Sequence, residues 1–109
     1  YLSDAIGMVR NVPINSQTSS YGLQASDNGK LITITTGGVT VPNSTFAAGN
    51  TLNIYNNSAS NQTITLAGGV TMVQAGTGNT GNRDIGGYGL ATIVCVAANS
   101  FIVTGSGIT

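Results

Sequence analysis

The sequence has no histidine, no glutamate and no tryptophan, and charged residues make up only 6% of its 109 positions. Ordinary soluble domains carry roughly 25%. Without histidine, a Ser–His or Cys–His nucleophile, a His-ligated metal site and a His acid–base catalyst cannot be built within the chain. Three cations balanced by three anions form no basic patch, so nucleic-acid binding through phosphate neutralisation is not expected. Cys95 stands alone and can form no internal disulfide; between Val94 and Val96 it reads as a small buried hydrophobe in a strand. No run approaches the ~20 apolar residues of a membrane helix, and no basic-then-apolar signal opens the chain. The first residue is Tyr1 rather than Met, which reads as a chain processed or cut from something longer.

What is present is neutral and β-forming. Gly, Ser, Thr and Asn fill 53 of the 109 positions, and Val, Ile, Thr and Tyr are abundant while Gln and Lys are scarce. Disorder usually requires low hydrophobicity with high net charge, and here the net charge is zero. Neutral Thr/Asn/Gly surfaces suit proteins held in fixed assemblies, where they meet glycans or other subunits, better than proteins kept apart by charge.

Short alternating runs separated by Gly/Asn/Ser clusters predict an all-β domain. Met8–Ile14 is an apolar-leaning leader broken by Pro13, suited to an edge or an extended arm. Strands are expected at Tyr21–Ala25, at Lys30–Thr36 with Ile32 and Ile34 inward, and at Val39–Val41. More follow at Thr51–Asn56 (Leu52 and Ile54 on one face), Gln62–Leu66, Val70–Gln74, Gly89–Ala97 and Phe101–Thr104. Asp27-Asn28-Gly29 and Gly37-Gly38 read as turns between strands, because Asn and Gly readily take positive φ. Phe46 is expected to plug an edge of the core. Ala91–Ala98 is apolar on both faces, so that strand is either central or pressed against another subunit. Eight or nine strands with turns every eight to twelve residues predict an antiparallel β-sandwich or jelly roll over residues 15–109. Residues 1–14 would be an N-terminal arm or first strand.

Few motifs carry chemistry. Gly76-Thr77-Gly78-Asn79-Thr80-Gly81 matches G-x-G-x-x-G, but Gly86 and Gly87 follow where a dinucleotide site needs a helix. A glycosidase needs two carboxyls about 5–9 Å apart. Asp27 lies in a turn signature, Asp84 adjoins Arg83 as an ion-pair or loop-fixing residue, and Asp4 lies in the leader. The sequons at Asn43, Asn56 and Asn61 fall at turns. The polar loop Gly76–Gly87 is the candidate ligand- or subunit-binding surface, with Asn79, Asn82, Arg83, Asp84 and the nearby Tyr88. Its bland alternative is a loop that packs on a neighbour or spans a sheet edge. No catalytic residue, metal site or cofactor is expected.

From Tyr21 onward the order of signals resembles a small all-β module of tailed-bacteriophage virion proteins, found at tail-fibre tips or on the virion surface. The carriers are Tyr21-Gly22-Leu23-Gln24-Ala25-Ser26-Asp27-Asn28-Gly29-Lys30-Leu31-Ile32, then Val39-Thr40-Val41-Pro42, Phe46-Ala47-Ala48-Gly49 and Ile54-Tyr55-Asn56-Asn57. Gln62-Thr63-Ile64-Thr65, Gly69-Val70-Thr71, Gly89-Leu90-Ala91-Thr92 and Val96 to Gly105 continue it over roughly residues 20–108. The resemblance implies a compact sandwich, a structural or receptor-binding role and frequent trimeric assembly; it transfers no catalytic residues.

Residues and resemblance together predict a non-enzymatic structural subunit of an extracellular assembly, a phage virion fibre or surface protein. Its partners would be copies of itself as a trimer or polymer, other virion proteins, or a host surface glycan. One alternative is the repeating subunit of a non-viral extracellular filament or pilus, joined by N-terminal strand exchange through Leu2, Ile6, Met8, Val9, Val12 and Ile14. Another is a carbohydrate-binding module, for which Tyr1, Tyr21, Tyr55 and Tyr88 are the available aromatics.

Overall fold

Alternation of apolar and polar residues decides which side of each strand is dry. In β3 (Leu31–Ile34), Ile32 and Ile34 are fully buried while Leu31 and Thr33 are not. β5 (Thr51–Asn56) repeats the pattern with Leu52 and Ile54, and β4 (Val39–Val41) with Val39 and Val41. Each fully buried Ile removes enough apolar area from water to contribute about 1.5–3 kcal/mol. The computed structural model describes residues 12–109. Its other strands are β1 (Ile14–Gln17), β2 (Tyr21–Gly22), β6 (Gln62–Leu66), β7 (Thr71–Gln74), β8 (Arg83–Ala97) and β9 (Ser100–Ile108), with one 3₁₀ turn at Ala25–Asp27.

The described chain is all-β, as expected, but its sheet is mixed rather than antiparallel. Five of the eight ladders are parallel: β1–β3, β3–β5, β2–β4, β4–β6 and β7–β9. Only β5–β8, β6–β8 and β8–β9 are antiparallel. The reason is how the chain winds. Asn28-Gly29 and Gly37-Gly38 do turn, yet they do not return the chain to its sequence neighbour; β2 pairs with β4 and β3 with β5. Successive strands thus alternate between two arms, β1-β3-β5 and β2-β4-β6. Both arms end on β8, giving the order β1-β3-β5-β8-β6-β4-β2. Alternation reports which face a residue occupies, not which strand lies beside it.

β8 is the hinge of this arrangement. Its first part pairs with β6 through Arg83, Asp84 and Ile85, and its later part pairs with β5 from Leu90 to Val94. β9 lines β8 on the other side, with register breaks between Ile85 and Leu90 and between Cys95 and Ala97. β8 is therefore central in the sheet, which then folds back into a nearly closed, barrel-like body. One core fills it: Ile32, Ile34, Ile54, Ile64, Met72, Ile85, Ile93 and Val103 are at most 1% exposed. Phe46 plugs the core beside Phe101, ring centroids 6.0 Å apart in a T-shaped pair, and Cys95 is buried as expected.

Several boundaries differ from expectation: β2 stops at Gly22 rather than Ala25, β3 covers only Leu31–Ile34, β7 begins at Thr71 and β9 runs from Ser100 to Ile108. β8 starts at Arg83, so the polar loop ends at Asn82, and Arg83 to Gly87 belong to a strand. Asp27 lies in a turn, as its signature suggested; it closes the 3₁₀ turn and is completely buried. The arm anticipated over residues 1–14 reaches the described chain at Val12, and Ile14 opens β1. Leu2, Ile6, Met8 and Val9 lie outside the described residues.

Candidate functional site

Four of the five residues singled out around the polar loop lie along the passage from β7 into β8, and their groups bond to different neighbours. The Arg83 guanidinium donates to the Gln74 Oε1 at 3.4 Å and to the Thr80 carbonyl at 3.3 Å, and its Nε to the Asn82 carbonyl at 2.7 Å. The Asn82 Oδ1 accepts from the Leu66 backbone N–H at 2.9 Å, and the Asp84 Oδ1 accepts from the Thr63 hydroxyl at 2.7 Å. Asn79 supplies its carbonyl to the Gln74 N–H at 2.8 Å and its residue is exposed. Arg83 and Asp84 thus bond to the loop and to β6 rather than to each other. Neighbours in a strand point to opposite faces, which separates them.

Tyr88 stands apart from these residues. It lies in the first register break of β8, 62% exposed and at φ +59°. Its N–H donates to the Ser58 carbonyl at 3.0 Å. A bulky residue at positive φ is a genuine outlier, at a cost of order 1–3 kcal/mol. The adjoining Gly87 explains how the chain passes: a Cβ there would sit 2.6 Å from the Ala59 carbonyl oxygen.

The sequence reading missed a buried polar group at the outer end of the winding. The Asp27 carboxylate accepts from the Asn15 Nδ2 (3.0 Å), the Tyr21 hydroxyl (2.7 Å) and the Gln24 backbone N–H (2.8 Å). Asn15 Nδ2 also donates to the Tyr21 oxygen at 2.9 Å, and Gln17 Nε2 to the Asn15 Oδ1 at 2.7 Å. Asn15 and Gln17 belong to β1 and Tyr21 to β2, so the network ties together the last strand of each arm. Burial, then the hydrogen bond to Asp27, raises the Tyr21 phenol above its ordinary 10.0. The only visible signal was the Gln24-x-x-Asp27 spacing, a side chain placed to reach back to a turn's first N–H.

The second feature the sequence left open is the outward face of the β1-β3-β5 arm. Register places Val73 of β7, Ile102 of β9 and Val94 of β8 side by side in one row, continued by Thr51 of β5. Leu90 and Tyr55 are partners in another row, with Thr33 and Ser106 beside them, and Leu31 and Ile14 share a third with Asn53, Thr92 and Thr104. These residues alternate with the buried set, so they point away from the core. Val73 is 37%, Leu90 43% and Ile14 64% exposed. No Asp, Lys or Arg occupies any of these outward strand positions.

Among the described residues no three His, Cys, Asp or Glu side chains cluster as a metal site would require. No described helix is long and apolar enough to cross a membrane. No family model, curated protein or solved structure matches the chain.

Proposed function

We propose that this chain is a non-enzymatic structural subunit of an extracellular assembly, most closely a phage virion fibre or surface protein, in which the two arms serve as the faces of a β-sandwich. The observation that carries this reading is the neutrality of its surface. Of the four charged residues in the described chain, Asp27 is buried and Arg83 and Asp84 are held by their own neighbours. Only Lys30 is left, and it is half-buried. Net charge far from zero keeps proteins apart; here no such repulsion opposes close packing of copies. The ordered resemblance from Tyr21 onward supports the virion setting.

A second reading, a filament joined by strand exchange, draws on the outer edge of β1, which has no partner strand among the described residues. β1 ends its arm, and Val12 and Ile14 are 54% and 64% exposed there. An extended segment from a neighbour would add main-chain hydrogen bonds along that edge. Negative-stain electron microscopy of the purified chain and of its native source tests both. Discrete oligomers, or density confined to a virion, are expected; regular filaments of this chain alone would replace the first reading with the second. Dispersed monomers from both sources would overturn both.

A further inference from the structure

We infer that Asn28-Gly29 is a latent modification site: Thr51 holds it inert in the closed structure, and when the turn parts from β5 the Asn28 side chain deamidates to aspartate or isoaspartate. Deamidation needs the main-chain nitrogen of the following residue to reach the Asn side-chain carbonyl carbon. Glycine, with no Cβ, obstructs that approach least. No other Asn in the sequence precedes a glycine. Asn28 and Gly29 are both exposed, and a Cβ at Gly29 would meet nothing within 4 Å, so the pair stands open to water. In the closed turn, however, both reacting groups are engaged by one residue of β5. The Gly29 N–H donates to the Thr51 carbonyl at 2.6 Å, and the Asn28 Oδ1 accepts from the Thr51 N–H at 3.0 Å. With ψ at +125°, Asn28 does not aim the Gly29 nitrogen at its own Cγ. The reactants are thus kept out of the near-attack geometry that ring closure requires.

The hold is local. The β3–β5 ladder begins at Leu31 and Asn53, so the contacts of Asn28 and Gly29 with Thr51 lie beyond its end. Thr51 is fixed from the other side by Val94 of β8. Ladder ends open at lower free energy than cores, so the turn moves while β5 stays. On opening, the Gly29 nitrogen loses its proton and bonds to the Asn28 Cγ; the Cγ–Nδ2 bond breaks, and ammonia leaves with that proton, closing a succinimide ring. Water then opens the ring at one of its two carbonyls, leaving aspartate or isoaspartate. Aspartate keeps an acceptor for the Thr51 N–H. Isoaspartate lengthens the main chain by a methylene and shifts Gly29 out of register with Thr51, so the turn does not reclose as before. Either product adds a negative charge to a chain whose charges otherwise balance.

The test incubates the full, unaltered chain in mildly alkaline buffer, both folded and in urea above its unfolding transition. Asn28 is followed by peptide mass spectrometry with fragmentation that separates aspartate from isoaspartate. Conversion is expected in both states, about tenfold or more slower in the folded chain. Urea below the transition is expected to raise the folded-chain rate only slightly, because a local opening exposes little surface. Equal rates in the folded and unfolded chain overturn the inference, since Thr51 then protects nothing; an Asn28 that fails to convert in urea overturns it too. A folded-chain rate that is undetectable, or that climbs with urea as steeply as global unfolding, assigns the reaction to the unfolded chain and overturns the local opening.

Discussion

At the scale of single residues, Asp27 has the largest consequences. It is fully buried, carries a carboxylate and satisfies donors from β1, β2 and the 3₁₀ turn at once. Removing it strands three polar groups, one of them the Gln24 N–H, in a partly dry site. Asp27→Ala is therefore expected to cost about 3 kcal/mol in urea unfolding, and Asp27→Asn less, since its amide keeps one acceptor oxygen. Tyr21 gives a pH signature. Its folded pKa lies above the unfolded value, because burial and the Asp27 hydrogen bond disfavour the phenolate. The folded state thus holds the proton more tightly. That contribution is complete below 10.0 and is lost as pH rises through the folded pKa. Tyr21→Phe is expected to flatten the alkaline fall in stability, measured by denaturant midpoints across that range. An unchanged slope would separate Tyr21 from the effect.

At the scale of elements, the β8–β9 pair governs the fold, because both arms end on β8. Its tightest point is Gly105, opposite Ala91. Gly105 sits at φ +147°, and a Cβ there would collide with the Leu90 carbonyl oxygen. Backbone cannot move aside as a side chain can. Gly105→Ala is expected to destabilise by about 3 kcal/mol or more, or to prevent folding, whereas Gly22→Ala in β2, with open space around it, should change stability by about 0.5 kcal/mol or less. Thermal melts of the two variants side by side decide it. Phe101 is the second fixed point. It is buried on β9 against Phe46, and Phe101→Ala should cost about 3–5 kcal/mol.

Element by element, much was legible in advance. Val39–Val41, Thr51–Asn56 and Gln62–Leu66 are strands with the boundaries read from the sequence, because turn residues bracket each run and alternation fills it. The start of β8 was misplaced because Gly86 and Gly87 look like a loop when read locally, although Gly89 was placed in the strand. All three are strand residues around a bulge, where the backbone of Ala59 comes too close for a Cβ at Gly87 and that of Ser106 for one at Gly89. Of the candidate loop, Asn79, Asn82, Arg83 and Asp84 lie along one stretch of chain, but alternation sends Arg83 and Asp84 to opposite faces. Tyr88 is set apart by the same bulge.

At the scale of the whole molecule, winding and neutrality set the behaviour. Parallel partners lie 17 to 29 positions apart in the chain. Non-local pairings of this kind must meet the loop-closure entropy before any contact forms. Refolding is expected in the millisecond-to-second range, on the order of other sheet-dominated folds, and stopped-flow dilution from urea measures it. Self-association of a chain with so few charges should hardly respond to sodium chloride between about 0.1 and 0.5 M, since there is little charge to screen. A steep loss with salt would point instead to Lys30 or Arg83 as contacts.

The sequence by itself determined the all-β class, the two faces of most strands and the absence of histidine-dependent chemistry within these residues, because these follow from residue type and from a period of two. Only the tertiary structure decided which strands are neighbours. Pairing partners depend on where each turn sends the chain in three dimensions, and a Gly-rich turn reads the same whether it returns to the adjacent strand or crosses to the opposite arm. For the same reason, burial of Asp27 and exposure of Leu90 and Val96 on the outward side of β8 could not be read from local pattern. Each is a property of what the rest of the chain places, or does not place, against that residue.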